Sequence, residues 1–166
     1  MGFRAYFVSE MSEPSVQGMR SLDTLVEGGR LTAGSSSQIS DGAAALMICN
    51  DAGLKKLGVE PLARVTALGL AATDPVLMLQ GPIPATERVL ERAGLKINDI
   101  DLFEVNEAFA CVPIAWLKGT GADPSRLNVN GGACALGHPL GEFSPPYLWC
   151  LELSNSPGQA RRVQSS

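Results

Sequence analysis

The run Asn130-Gly131-Gly132-Ala133-Cys134-Ala135-Leu136-Gly137-His138-Pro139-Leu140-Gly141 holds the only histidine of the 166-residue chain, so any imidazole chemistry here must use His138. Its glycines permit close backbone approach, and Pro139 restrains the chain directly after the ring. A second run, Val105-Asn106-Glu107-Ala108-Phe109-Ala110, also sets polar side chains directly after an apolar stretch. An asparagine amide and an imidazole sharing a pocket can bind a developing oxyanion or move a proton. Each residue also has an ordinary reading. A lone histidine after glycine is commonly a turn or packing residue, Asn106 suits a helix N-cap, and Glu107 would favour the helix dipole. A third run, Leu31 to Gly42, is small and hydroxyl-rich, with Ser35-Ser36-Ser37 at its centre. It is loop material that exposes backbone amides to a ligand or simply to water.

The elements that must position these runs follow from periodicity and punctuation. Residues 1–19 read as a leader that carries no pattern, and Leu22, Leu25 and Val26 make a short amphipathic stretch ending at Gly28-Gly29. Ala43 to Cys49 is an apolar run of strand length. Asn50 predicts an N-cap for a helix through Leu57, stopped at Gly58. Ala63 to Ala72 predicts a strand. A helix is expected from about Ala85 to Ala93, with Val89, Leu90 and Ala93 inward, Pro84 tolerated in its first turn and Gly94 as its stop. Asp99 to Val105 predicts a strand, Asn106 to about Lys118 a helix kinked by Pro113, and Leu127 to Val129 a further strand. Strands alternating with helices point to an α/β layered fold, and ligands in such folds gather at the carboxyl ends of strands.

Composition narrows the function classes. Lys plus Arg number 13 against 17 Asp plus Glu, for a net charge of -4, so neither nucleic acid nor an anionic membrane finds a clustered basic surface. The longest uncharged apolar stretch, Gly42 to Cys49, falls far short of the roughly 20 residues of a membrane helix. Cysteines 49, 111, 134 and 150 form no CxxC pair, so no metal site is expected, and reduced thiols in a cytoplasmic setting are. Met78 reads as a core filler.

Four motifs in order carry a family resemblance: Thr32-Ala33-Gly34-Ser35-Ser36-Ser37-Gln38-Ile39-Ser40-Asp41-Gly42, then Gly81-Pro82-Ile83-Pro84-Ala85, then Asn106-Glu107-Ala108-Phe109-Ala110, then Asn130-Gly131-Gly132 through Gly137-His138-Pro139-Leu140-Gly141. Over about residues 20 to 141 the chain resembles the later part of a thiolase, the family of acetyl-CoA acetyltransferases and 3-ketoacyl-CoA thiolases. The resemblance implies a partial thiolase-like α/β fold, a mixed sheet with helices on its faces. It divides the chain into an unplaced leader at 1–19, the end of the CoA-binding loop with the last strand and helix of the N-terminal half at 20–58, a partial C-terminal domain at 59–141, and a divergent tail at 142–166.

The same resemblance implies roles. His138 matches the histidine that activates the nucleophilic cysteine and helps bind the thioester oxygen, and Asn106 the asparagine that holds a water in that oxyanion hole. Ala33, Gly34 and Ser37 match the loop along the pantetheine arm of CoA, and Met78, Ala108 and Phe109 match groups lining the tunnel and acyl pocket. The implied reaction is the ping-pong Claisen condensation or thiolysis of 3-ketoacyl-CoA, as in fatty-acid β-oxidation. Coenzyme A and acyl-CoA are its substrates, and no tightly bound cofactor is expected. The family's cysteine nucleophile, in a Cys-x-Ser-Gly-like setting, and its second cysteine before a Gly-Gly-Gly run have no counterpart here, so the chain alone is expected to be inactive. Its expected partner is an N-terminal thiolase half or a second copy of the chain. The alternatives are a non-catalytic CoA-binding remnant or a functionless gene fragment. After Gly141 the resemblance stops, and Pro145-Pro146 stand where a long helix is implied, as a shifted frame, an alternative end or a truncated gene would leave it.

Overall fold

The computed structural model describes residues 15–43, 47–139 and 163–165. Most of the leader, the centre of the Ala43–Cys49 run, Leu140-Gly141, the tail to residue 162 with Cys150, and Ser166 lie outside the described residues. The helices are α1 (Val16–Arg20), α2 (Asp51–Leu57), α3 (Pro82–Ala93), α4 (Cys111–Thr120) and α5 (Ala133–Leu136). Strands β1 (Leu102–Glu104) and β2 (Val163–Ser165) pair in parallel, with Leu102 opposite Val163 and Glu104 opposite Ser165.

Local signals built α2 and α3 as expected. The Asn50 side chain accepts from Gly53 N at 2.9 Å, and Gly58 closes α2 in the left-handed region at φ 66°. Helix α3 begins earlier than the sequence reading placed it, at Pro82, because prolines 82 and 84 both fall in the first turn, where no intrahelical donor is lost. It stops at Gly94, with Val89, Leu90 and Ala93 half-buried.

Four expectations are corrected. The amphipathic stretch at 22–26 buries no apolar face: Leu22, Leu25 and Val26 are all exposed, and a bridge from Thr24 to Thr32 turns the chain. Residues 63–72 are not a laddered strand. From Ala67 onward their exposure alternates along α3, the backbone at Gly69 so close to Ala85 and Val89 that a Cβ would stand 3.2 Å from their main chain. Arg88 and Arg92 reach from α3 to donate to the carbonyls of Leu70 and Leu68, at 2.6 and 2.5 Å. The other face leaves Leu68 and Leu70 73% and 87% exposed. The third correction is helix α4, which starts at Cys111, five residues later than Asn106. The chain between is committed elsewhere: Ala110 N donates to Ser35 O and Ser37 N to Ala108 O, at 2.9 and 3.1 Å. Pro113 therefore falls in the first turn of α4 and has no hydrogen bond to break, so no kink follows. Fourth, Leu127 to Val129 makes only one bridge, Leu127 to Phe103, before Asn128 turns into positive φ at 45°. Of the predicted strand at 43–49, Ala43 and Met47–Cys49 are described, exposed and outside any strand.

The core forms where β1, α3 and α4 meet. Ile100, Phe103, Val105, Val112, Trp116 and Ala122 are buried, with Ile83, Leu90, Leu95 and Leu127 packed around them. Trp116 is the centre. Its ring is tilted 60° against Phe103 at 5.0 Å, and its Nε1–H donates to Thr86 Oγ1 of α3 at 2.8 Å. The buried indole N–H thus has the acceptor that its burial requires.

Candidate functional site

Three loops converge beyond the end of β1. The first is the serine loop at 35–40, the second is 105–110, and the third runs from Asn128 to His138. The first two are joined by the antiparallel bridge between Ser36 and Phe109, and the first and third by a parallel bridge between Ile39 and His138. His138 N donates to Gln38 O at 2.7 Å, which fixes the ring's backbone to the serine loop. Together these contacts bring Asn106 Nδ2 to 3.3 Å from His138 Nε2. An amide nitrogen can only donate, so the bond forms when Nε2 is unprotonated and the ring proton sits on Nδ1. Both side chains are half-buried, open enough to meet a ligand.

The sequence reading singled out residues that now divide into three groups. His138, Asn106, Ser37, Ala108 and Phe109 share the junction of the three loops. Ala33 and Gly34 form the turn that leads into it, and Gly34 packs so closely on Met19 and Leu22 that its missing Cβ also serves that contact. Met78 lies on the turn packed against α3 and α4 and is 65% exposed.

Sequence reasoning missed Asn128 as a member of this junction and gave Glu107 to the dipole of its own helix, while the close approach expected at Gly132 is where the Glu107 carboxylate sits. Asn128 Oδ1 accepts from Val105 N at 2.8 Å, and its Nδ2 donates both to Val105 O at 3.0 Å and to Glu107 Oε1 at 2.7 Å. Glu107 Oε2 accepts from Cys134 N at 3.2 Å, within the first turn of α5. Glu107 is thus no helical residue of α4; it is a cap for a different helix. The one available signal was the asparagine ahead of Asn130-Gly131-Gly132, since asparagine tolerates positive φ in turns.

Two ionisable groups nearby are perturbed. Glu104 on β1 is 2% exposed, its Oε1 has no hydrogen-bond partner among the described residues, and burial followed by repulsion from Glu107 raises its pKa to about 7 from 4.5. The folded state therefore holds this proton more tightly than the unfolded chain. The stability tied to it is complete below about pH 4.5 and is lost as pH rises through 7. Urea midpoints of the wild type are expected to fall across that window, and Glu104→Gln to flatten the fall; an equal slope in both would show that Glu104 is not its source. Cys134 is pushed up by burial and by the charge and side chain of Glu107, and its Sγ also donates to the Glu107 backbone carbonyl at 3.5 Å. It is held as a thiol, which makes a poor nucleophile.

The fold is that of a thiolase-like α/β protein. The chain superposes on the crystal structure of human mitochondrial 3-ketoacyl-CoA thiolase in complex with CoA with a TM-score of 0.81 and 38% identity, covering 86% of this chain and 36% of that one. The chain belongs to the thiolase family, whose C-terminal domain matches residues 59–145. It is 55% identical over 129 residues to a steroid 3-ketoacyl-CoA thiolase of Mycobacterium tuberculosis, covering 78% of this chain and 32% of that protein. Identity to the 3-ketoacyl-CoA thiolase of Yersinia enterocolitica is 51% over 116 residues, 68% of this chain and 30% of the relative. An acetyl-CoA acetyltransferase of Shinella zoogloeoides is 50% identical over 113 residues, 68% of this chain and 29% of the relative. The chain spans about a third of the length of these relatives.

Proposed function

We propose that this chain supplies the histidine and asparagine of a thiolase-type acyltransferase that acts on acyl-CoA. The observation that carries the reading is the pairing of Asn106 Nδ2 with His138 Nε2 at 3.3 Å across two loops. An amide donor beside an imidazole can stabilise the oxygen of a thioester as negative charge develops and can pass a proton at the reacting carbon or sulfur. The reaction is reversible Claisen condensation or thiolysis of 3-ketoacyl-CoA, of the acetyl-CoA C-acyltransferase type, in cytoplasmic fatty-acid β-oxidation.

The nucleophilic cysteine is supplied by an N-terminal thiolase half or by a further copy within a homo-oligomer, and these 166 residues by themselves turn over no substrate. The held-protonated Cys134 supports that division, as do the bare apolar faces of Leu68 and Leu70, which suit cover by the other half. In this reading residues 20–58 end the CoA loop and the N-terminal half, and 59–141 form the partial C-terminal domain. Ser37, with Ala33, Gly34 and the groups at Met78, Ala108 and Phe109, lines the path of the pantetheine arm, and coenzyme A binds as a substrate rather than as a resident cofactor.

Titration of the full chain with CoA tests this. Saturable binding is expected, and Ser37→Trp, which places an indole where the serine loop meets Ala108, is expected to weaken it at least about tenfold, or about 1.4 kcal/mol. CoA binding that is indifferent to Ser37→Trp would remove the serine loop from the site.

A further inference from the structure

We infer that Glu107 is a positioning residue whose carboxylate clamps the turn at 128–134 and thereby sets the distance between Asn106 and His138. The geometry does not depend on the proposed reaction; only its catalytic consequence rests on that reading. Helix α5 has Gly132 at its N-cap and no side-chain cap of its own. The first-turn amide at Cys134 would lack an acceptor had Glu107 not entered from the neighbouring loop, with Oε2 3.2 Å from Cys134 N. Gly132 is what admits it, because a Cβ there would fall on the Glu107 carboxylate.

The second carboxylate oxygen works on the other end of the same turn. Oε1 accepts from Asn128 Nδ2 at 2.7 Å, and the same Asn128 amide brackets Val105 on both its N–H and its C=O. All three polar capacities of that amide in use here, one acceptor and two donor hydrogens, are satisfied by residues flanking Asn106. Asn106 is therefore fixed from both sides: Val105 by the Asn128 amide and Glu107 through its own side chain. On the far side, the clamped turn leads through the four residues of α5 into Gly137-His138. Gly137 lies against Ser40 so closely that a Cβ would meet its Oγ at 2.5 Å. Loosening the clamp frees the start of α5 while its end stays tied to the serine loop, and the mismatch is taken up between Asn106 and His138. A polar network of this kind holds its geometry only when each member is satisfied.

The single histidine makes the test direct, since its ring protons give one assignable set of NMR signals in the full chain. Wild type is expected to show a nuclear Overhauser contact between the Asn106 side-chain amide protons and the His138 ring. Glu107→Ala is expected to abolish it while far-UV circular dichroism stays unchanged. Glu107→Gln keeps the volume and one acceptor oxygen but sets an NH2 against one of the two donors, Asn128 Nδ2 or Cys134 N, so the contact is expected to weaken and not vanish. Gly132→Ala leaves every polar group in place and evicts the carboxylate, and is expected to match Glu107→Ala.

A contact of wild-type intensity in folded Glu107→Ala overturns the inference. Should Glu107→Ala fail to fold, wild-type intensity in Glu107→Gln overturns it equally. In the assembly with a cysteine-bearing thiolase half, Glu107→Gln is expected to lower kcat by about tenfold, with KM within about twofold, because a displaced group costs rate more than ground-state binding. Loss of the NMR contact with kcat unchanged would uphold the clamp and count against the proposed reaction.

Discussion

His138→Ala is expected to lower the turnover of 3-ketoacyl-CoA by the assembled enzyme at least about a hundredfold, or about 2.7 kcal/mol in the barrier. The ring is the only imidazole in the chain, and it stands 3.3 Å from the amide donor of Asn106. In the proposed reaction alanine removes both the proton carrier and half of the oxyanion pair, so the loss should appear in kcat and kcat/KM together, while CoA binding, which that proposal places on the serine loop, should persist. Asn106→Ala provides the matching measurement. If the two groups stabilise the same developing charge, the double variant loses much less than the product of the single losses, because groups that act as a unit are not additive. Unchanged turnover in His138→Ala, with full-strength CoA binding, would remove the imidazole from the chemistry.

The second large effect concerns stability. Trp116→Ala is expected to cost about 3–5 kcal/mol, a large part of the roughly 5–15 kcal/mol that holds a domain together. Three contributions add at this residue. The indole is 1% exposed, it packs at 5.0 Å against Phe103 of β1, and its Nε1–H bonds to Thr86 of α3 at 2.8 Å. It is therefore the side chain through which α4 is fastened to both other elements of the core. Urea denaturation followed by far-UV circular dichroism is expected to lose its transition or shift it strongly to lower denaturant. Trp116→Phe keeps a ring against Phe103 but gives up the bond to Thr86, and should fall between. A wild-type midpoint for Trp116→Ala would show that the core survives without this joint.

The two effects lie at opposite ends of the same short strand. Phe103 faces Trp116, while Val105 leads directly to Asn106 and is bracketed by Asn128. Because the core locates β1 and β1 locates the asparagine, variants that loosen the core should also blur the site. Glu104, buried between them and shifted to about 7, links the same region to pH through stability.

Helices α2 and α3 were legible because their limits are written within a few residues: Asn50 and Gly58 at one, the prolines and Gly94 at the other. The strand at 63–72 was misread because a mostly apolar run does not say whether a strand or a helix lies beside it, and here α3 does, without any ladder. The helix at 106–118 was misplaced for a related reason. Its first residues are good helix formers by composition, but their backbone groups are taken by Ser35 and Ser37, which lie far away in sequence. Tertiary hydrogen bonds overrode a local preference worth only tenths of a kcal/mol per residue.

Family membership, the α/β character and the identity of His138 and Asn106 as candidates could be read from residue order alone, because each rests on side-chain type and spacing within a short motif. How those two residues meet could not. Their contact spans 32 positions, and the Glu107 bonds that brace it span 21 and 27. Such contacts depend on the path of the chain between them, and no periodicity records that path. A glutamate after an asparagine looks the same in sequence whether it favours its own helix or caps another. Only the packed loops, with Gly132 leaving room for the carboxylate, decide that it does the latter.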